Sequence, residues 1–305
     1  MSEISFNDRV AIVTGAGGGL GRSHALALAA RGVKVVVNDL GGAVDGTGGS
    51  ATAAEQVVAE IEAVGGTAMA SGASVTDEAA VADMVEEAID RFGHVDILVN
   101  NAGILRDKSF SKMTIADFRA VLDVHLVGSA ICTKAVWNHM KERNYGRIAM
   151  TTSSSGMYGN FGQSNYGAAK AGLSGLMRTL VLEGAKYDIR VNTLSPTARS
   201  RMTERLMPEA VLEKLRVEPV SQGLVYLVCD EAPNRVILCA GAGGYSLTKV
   251  VETQGINLSE GNQTAEMVAA HWSEIADMDG AEEYTNGGQQ GAKFLTRVHN
   301  GDFVA

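Results

Sequence analysis

Tyr166 and Lys170 stand four residues apart in the run TTSSSGMYGNFGQSNYGAAK, residues 151–170. On a helix that spacing puts both side chains on one face, one turn from each other. Ser153, Ser154 and Ser155 precede the tyrosine. A tyrosine beside a lysine ammonium and a serine hydroxyl is an acid/base centre. The phenol has an ordinary pKa of about 10, and a fixed positive charge draws it toward the working pH. A lone Tyr-x-x-x-Lys is equally a surface pair on an ordinary helix, so the residues upstream decide.

Upstream, RVAIVT (9–14) has the β-branched character of a buried parallel strand and breaks into GAGGGLG before a helical pattern over 22–31. Gly15, Gly19 and Gly21 allow a tight turn and the approach of a pyrophosphate to a helix N-terminus. The spacing TGxxxGxG departs from the generic GxGxxG fingerprint. VKVVVN (33–38) is a second strand, and Asp39 at its end suits the adenosine ribose hydroxyls. An acid there repels a 2′-phosphate, so NAD is expected over NADP. The uncharged Gly18 agrees, and Arg22 is a contrary signal. NNAG (100–103) ends a later strand; Asn100 can bond across the core, and Gly103 admits a ligand to the backbone.

The remaining elements alternate. Helices are expected over 51–64, 77–91, 114–143, 164–187 and 220–229, and strands over 67–71, 96–99, 146–152, 189–194 and 235–239. Alternating strands and helices mean an α/β fold with a doubly wound parallel sheet, here of seven strands with helices on both faces. Ligands in such sheets sit outside the carboxyl ends of the strands, where Gly15, Asp39, Gly103, Ser153 and Pro196 all fall. Residues 40–50 are a glycine-rich loop, either a flap near the adenine or a surface loop. Residues 199–215 form a charged lid of short helices. The chemistry belongs to residues 1–245. Residues 246–305 are a mostly helical or irregular extension packed on the same domain, with an amphipathic helix over 264–278.

The chain has 305 residues, 46% hydrophobic and 20% charged, with net charge −9. That composition supports a large core and argues against nucleic acid or an anionic membrane surface as partner. Cys132, Cys229 and Cys239 form neither a disulfide frame nor a metal site. No signal organisation, transmembrane run or peroxisomal tripeptide is visible, so a cytoplasmic location is expected.

Together, TGxxxGxG at 14–21, Asp39, NNAG, Ser153, YxxxK, and Pro196 with Thr203 resemble the short-chain dehydrogenase/reductase family over residues 6 to 245. VVVNDLGG, NNAGILRDKSF, SGMYGNFGQSNY and SRMT resemble its (3R)-hydroxyacyl-CoA dehydrogenases in particular. The resemblance implies a Rossmann-type fold, NAD as cofactor and a homodimer or homotetramer built through the long helices 114–143 and 164–187. It makes Tyr166 the general acid/base, Lys170 its activator and a ribose ligand, and Ser153 the holder of the substrate oxygen, with Ser155 as alternative. It assigns the cofactor to Gly15, Gly19, Leu20, Gly21, Asp39, Ser74, Val75, Asn101, Ala102, Gly103, Tyr166, Lys170, Pro196 and Thr203. His125 stands where the family carries an asparagine that supports a relay water; it is either a relay group or a packed core histidine. The family's acid before the third helix is replaced by Ala73-Ser74-Val75. The expected substrate is a (3R)-hydroxyacyl-CoA, with Arg106, Lys108, Arg199, Arg201 and Arg205 as candidate phosphate cations. A hydroxysteroid is the alternative, and a non-catalytic NAD sensor a remote one.

Overall fold

The computed structural model describes residues 3–48, 52–199 and 208–304. The chain divides into two compact units, Met1–Leu247 and Thr248–Ala305.

The first unit is built on one sheet of order β3-β2-β1-β4-β5-β6-β7-β8. Its strands are β1 Val10–Thr14, β2 Lys34–Asn38, β3 Ala68–Ser71, β4 Ile97–Asn100, β5 Gly146–Thr151, β6 Ile189–Thr197, β7 Ile237–Gly241 and β8 Gly244–Thr248. β1 to β7 pair in parallel. The order reverses between β1 and β4, which opens a crevice at the carboxyl ends of those strands. The eighth strand corrects the expected seven. Ala242 and Gly243 both take positive φ, +49° and +80°, so a two-residue turn folds the chain back on β7. A left-handed alanine inside the glycine-rich GAGGY gave no strand signal.

The helices are α1 Gly19–Ala29, α2 Thr52–Ala63, α3 Glu78–Phe92, α4 Ile115–Leu122, α5 Gly128–Arg143, α6 Ser154–Tyr158, α7 Ser164–Gly184, α8 Glu209–Leu212 and α9 Val217–Leu227. Strand residues alternate between the two faces of the sheet. Val13, Val35 and Ile97 pack with α1, α2 and α9, whereas Ile12, Val36 and Leu98 pack with α3, α5 and α7. Asp77 caps α3 by accepting from the backbone N–H groups of Ala79 and Ala80. The helical stretch 114–143 is interrupted: a π-helical turn, Asp123–Val127, separates α4 from α5 and carries His125. Such turns insert one residue and re-aim a side chain.

The second unit contains α10 Ala265–Ala270, α11 Trp272–Ile275 and α12 Gly287–Asn300. The single helix expected over 264–278 is broken at His271, which has non-helical backbone angles. The longest helix of this unit is α12, started by an Asn286 capping box.

Candidate active site

A cavity of about 490 Å³ opens at the carboxyl ends of the strands. Its nucleotide end is made by backbone. Gly15 has φ +63°, and a Cβ there would lie 2.8 Å from Ala102 Cα. A Cβ on Gly21 would lie 2.1 Å from the Gly15 carbonyl oxygen, so α1 closes on the turn only with glycine there. Around Gly18 and Gly19 no atom lies within 4 Å of where a Cβ would be. Bare backbone at the N-terminus of α1 therefore faces open space, the arrangement that receives a pyrophosphate. Leu20 lines the same space.

Asp39 lines the cavity beyond the turn. Its carboxylate accepts the N–H groups of Gly17 and Gly41, both at 2.7 Å. Gly17 escaped the sequence reading; a Cβ there would strike Asp39 and Ala53. The second glycine of GAGGG was its signal. Arg22, the contrary sign, forks onto Glu60 and does not line the cavity. Ser74 and Val75 line the cavity after β3; Asn38 steadies that turn by donating to the carbonyls of Ser71 and Ala73. Asn101, Ala102 and Gly103 also line it, but the Asn101 amide is spent on the glycine turn, donating to the carbonyls of Thr14 and Gly15. Asn100 makes the expected bond across the core, to Thr133 Oγ1 at 3.0 Å. These residues fit a nicotinamide dinucleotide.

At the other end stand Ser153, Ser155, Tyr166, Lys170, His125 and Pro196. β5 delivers Ser153, which caps α6, and α7 presents Tyr166 and Lys170 on one face. Gly156 lets α6 and α7 touch, since a Cβ there would lie 2.7 Å from the Ala171 backbone. Hydrogen bonding by Ser153 favours the Tyr166 phenolate. Burial nonetheless dominates and raises the Tyr166 pKa above its ordinary value, and Asp107 adds to the rise. This corrects the expectation that Lys170 draws the phenol down. Lys170 is itself fully buried, its Nζ donating to the Thr151 carbonyl at 2.5 Å and lying 5.4 Å from the Tyr166 ring centre. Burial pushes its pKa down to about 7, so its ammonium is not a fixed charge.

His125 is buried, its ring edge-on to Tyr166 at 5.2 Å. Nε2 faces both the carbonyl (2.8 Å) and the N–H (3.1 Å) of Ile104, and Nδ1 has no partner. Burial, then Lys170, hold its pKa well below the ordinary value, so the imidazole is neutral. A Cβ on Gly103 would lie 2.1 Å from its Cε1. Ser155 lines the cavity, but its hydroxyl hydrogen goes to Gln163 Oε1 at 2.8 Å. It is not a free donor for the substrate oxygen. Gln163 and Asn160, cavity residues the sequence reading missed, lie three and six residues before Tyr166; that proximity was their signal.

The candidate phosphate cations fare differently. Arg106 and Lys108 share Asp117, at 3.5 Å and 3.0 Å, and Arg199 pairs with Glu209 at 2.5 Å. None of the three lines the cavity. Arg201, Thr203 and Arg205 lie outside the described residues.

Residues 9–210 match the family described as short chain dehydrogenase. The chain belongs to that family. The short-chain dehydrogenase fold is shared with a solved 7α-hydroxysteroid dehydrogenase complexed with NADH and 7-oxo glycochenodeoxycholic acid, at TM-score 0.71 and 29% identity, over 79% of this chain and 95% of that one. A short-chain type dehydrogenase/reductase of Mycobacterium tuberculosis is 49% identical over 90% of this chain and 96% of its own length. Peroxisomal multifunctional enzyme type 2 of Mus musculus is 48% identical over 92% of this chain, but this chain spans only 38% of that protein. As a short-chain dehydrogenase, the chain is an oxidoreductase acting on CH–OH donors with a nicotinamide cofactor. Among the described residues no helix is long and apolar enough to cross a membrane.

Proposed function

We propose that this short-chain dehydrogenase interconverts (3R)-3-hydroxyacyl-CoA and 3-oxoacyl-CoA with NAD. The observation that carries the chemistry is that Ser153, Tyr166 and Lys170 line the same cavity as the glycine turn and Asp39. When bound, the nicotinamide supplies the hydride acceptor. Tyr166 takes the proton of the substrate hydroxyl as the carbinol carbon loses hydride. Ser153 donates to the substrate oxygen and holds it at Tyr166. Lys170, buried behind the tyrosine, accepts or returns a proton near neutral pH. His125, with Nδ1 unpartnered beside Tyr166, is suited to hold a water of that relay.

The choice of NAD is supported by Asp39, whose carboxylate on the cavity wall repels a 2′-phosphate. The choice of a hydroxyacyl thioester is supported by the similarity to the multifunctional enzyme and by the motifs VVVNDLGG and SGMYGNFGQSNY. The pairing of Arg106, Lys108 and Arg199 with carboxylates argues against those three as a phosphate clamp. A second reading, a hydroxysteroid, is favoured by the solved 7α-hydroxysteroid dehydrogenase relative. The proposal further takes residues 246–305 as an extension of the catalytic domain, and the protein as a cytoplasmic homodimer or homotetramer.

Turnover with NAD and NADP, offered (3R)-3-hydroxybutyryl-CoA, a long-chain homologue and a 17β-hydroxysteroid, tests this. Reduction of NAD by the thioesters is expected. Turnover of the steroid alone, or preference for NADP, overturns the corresponding part.

A further inference from the structure

We infer that Gln163 recognises the thioester carbonyl of the substrate and so selects a 3-hydroxyacyl thioester over a plain secondary alcohol; this rests on the hydroxyacyl reading. Gln163 immediately precedes α7, is 8% exposed, and lines the cavity together with Ser153 and Tyr166. Its Oε1 accepts from Ser155 Oγ at 2.8 Å and from Asn160 Nδ2 at 3.2 Å, which uses both lone pairs. Its Nε2 donates to Asp107 Oδ2 at 2.6 Å. A carboxylate can only accept, so these neighbours fix which end of the amide is nitrogen. A primary amide has two N–H bonds, and Asp107 takes one of them. The other has no acceptor among the described residues, and Gln163 lines the cavity. The bond to the Asp107 carboxylate is charge-assisted, which holds the amide in one orientation before any substrate arrives.

The chemistry of the substrate matches that donor. A thioester with its hydroxyl on C3 carries its carbonyl oxygen two carbons from the reacting centre. With the C3 oxygen on Tyr166 and Ser153, the carbonyl must be buried near them. A buried carbonyl without a donor is costly, and a donor without its acceptor is costly in turn. A site built to hydrogen-bond one substrate group therefore rejects an analogue that lacks it. Gln163 is the buried amide of the cavity wall three residues before the catalytic tyrosine, and Ser155 and Asp107 are the groups that set it.

The test compares kcat/KM for 3-hydroxybutyryl-CoA and for the 3-hydroxybutyl thioether of CoA, the same chain without the carbonyl oxygen, on the wild type and on Gln163→Met. The wild type is expected to prefer the thioester by about 10- to 100-fold, one hydrogen bond's worth. In Gln163→Met that preference should collapse to within about threefold, because enzyme and substrate changes at one contact are not additive. An equal preference in both proteins overturns the assignment of Gln163 and leaves the hydroxyacyl reading standing. Turnover of neither compound by the wild type overturns both together. Should Gln163→Met fail to fold, the wild-type comparison still decides: no preference for the thioester overturns the inference.

Discussion

The two ends of the sheet hold buried polar groups in opposite ways. At the amino ends of the strands, a cluster around Arg147, Tyr145 and Asp96 is fully paired. Arg147 is 1% exposed, and its five N–H bonds reach the carbonyls of Gly146, Asp188, Cys229 and Asp230 and the Asp188 carboxylate. Tyr145 is flanked by the guanidinium groups of Arg147 and Arg9, and its hydroxyl donates to Asp230. Asp96, fully buried, accepts from Val10 N–H and meets Arg9 and His94. At the carboxyl ends, Lys170 is fully buried with the Thr151 carbonyl as its acceptor, and His125 Nδ1 has no partner. The amino end spends its polar groups on stability. The carboxyl end leaves proton donors and acceptors under-satisfied and shifted in pKa, which is what catalysis needs.

The sharpest way to break this comparison is Tyr166→Phe. It should lower turnover by about 10²- to 10⁴-fold, the worth of a positioned acid/base. Thermal unfolding should change little, because one hydrogen bond contributes only about 1 kcal/mol net. A parallel loss of melting temperature would make Tyr166 a structural residue.

Arg147→Met is the converse at the other end. Removing a buried, fully paired guanidinium should cost about 3–5 kcal/mol in denaturant unfolding. Turnover per folded molecule should hold. A fall in turnover with stability intact would erase the division between the two ends.

Lys170 supplies a pH signature. Its folded-state pKa is depressed from the ordinary 10.5 to about 7 by burial. Between those values the unfolded chain binds more protons than the folded one, so ligand-free stability should rise as pH rises from about 7 toward 10.5, and the contribution should be level below 7. Lys170→Met should remove that slope. An unchanged slope would show that the ammonium stays protonated in the fold.

The smallest effect sharpens the amino-end account. Lys34 pairs with Asp8 at 2.7 Å on the exposed rim of the same end. Lys34→Ala should change stability by less than about 1 kcal/mol, as exposed pairs do. A large loss would move the stabilising role from the buried groups to the rim.

What the sequence made legible follows the range of each interaction. The glycine turn, Asp39 and the Tyr166–Lys170 pair are local in spacing, and strand and helix periods place them without reference to distant residues. The alternating elements likewise carry the doubly wound sheet. Partners far apart in the chain were hidden. Nothing near Gln163 announces Asp107, and nothing near Arg147 announces the carbonyls of Asp230 and Cys229. The sense of the Tyr166 shift was missed for a related reason. Charge is visible in letters, but depth of burial is set by elements from the whole chain, and here burial outweighs the hydrogen bonding by Ser153. The π-helical turn at His125 gave no sequence signal, because its residues continue a helical pattern on both sides.

The proposed reaction is hydride transfer from C3 of a thioester, under the control of Tyr166, to NAD. It is met most directly by incubating the protein with NAD and (3R)-3-hydroxybutyryl-CoA carrying deuterium at C3, and weighing the reduced cofactor. NADH with one deuterium is expected, formed by the wild type and lost in Tyr166→Phe. Unlabelled NADH, or labelled NADH formed equally well by Tyr166→Phe, would contradict it.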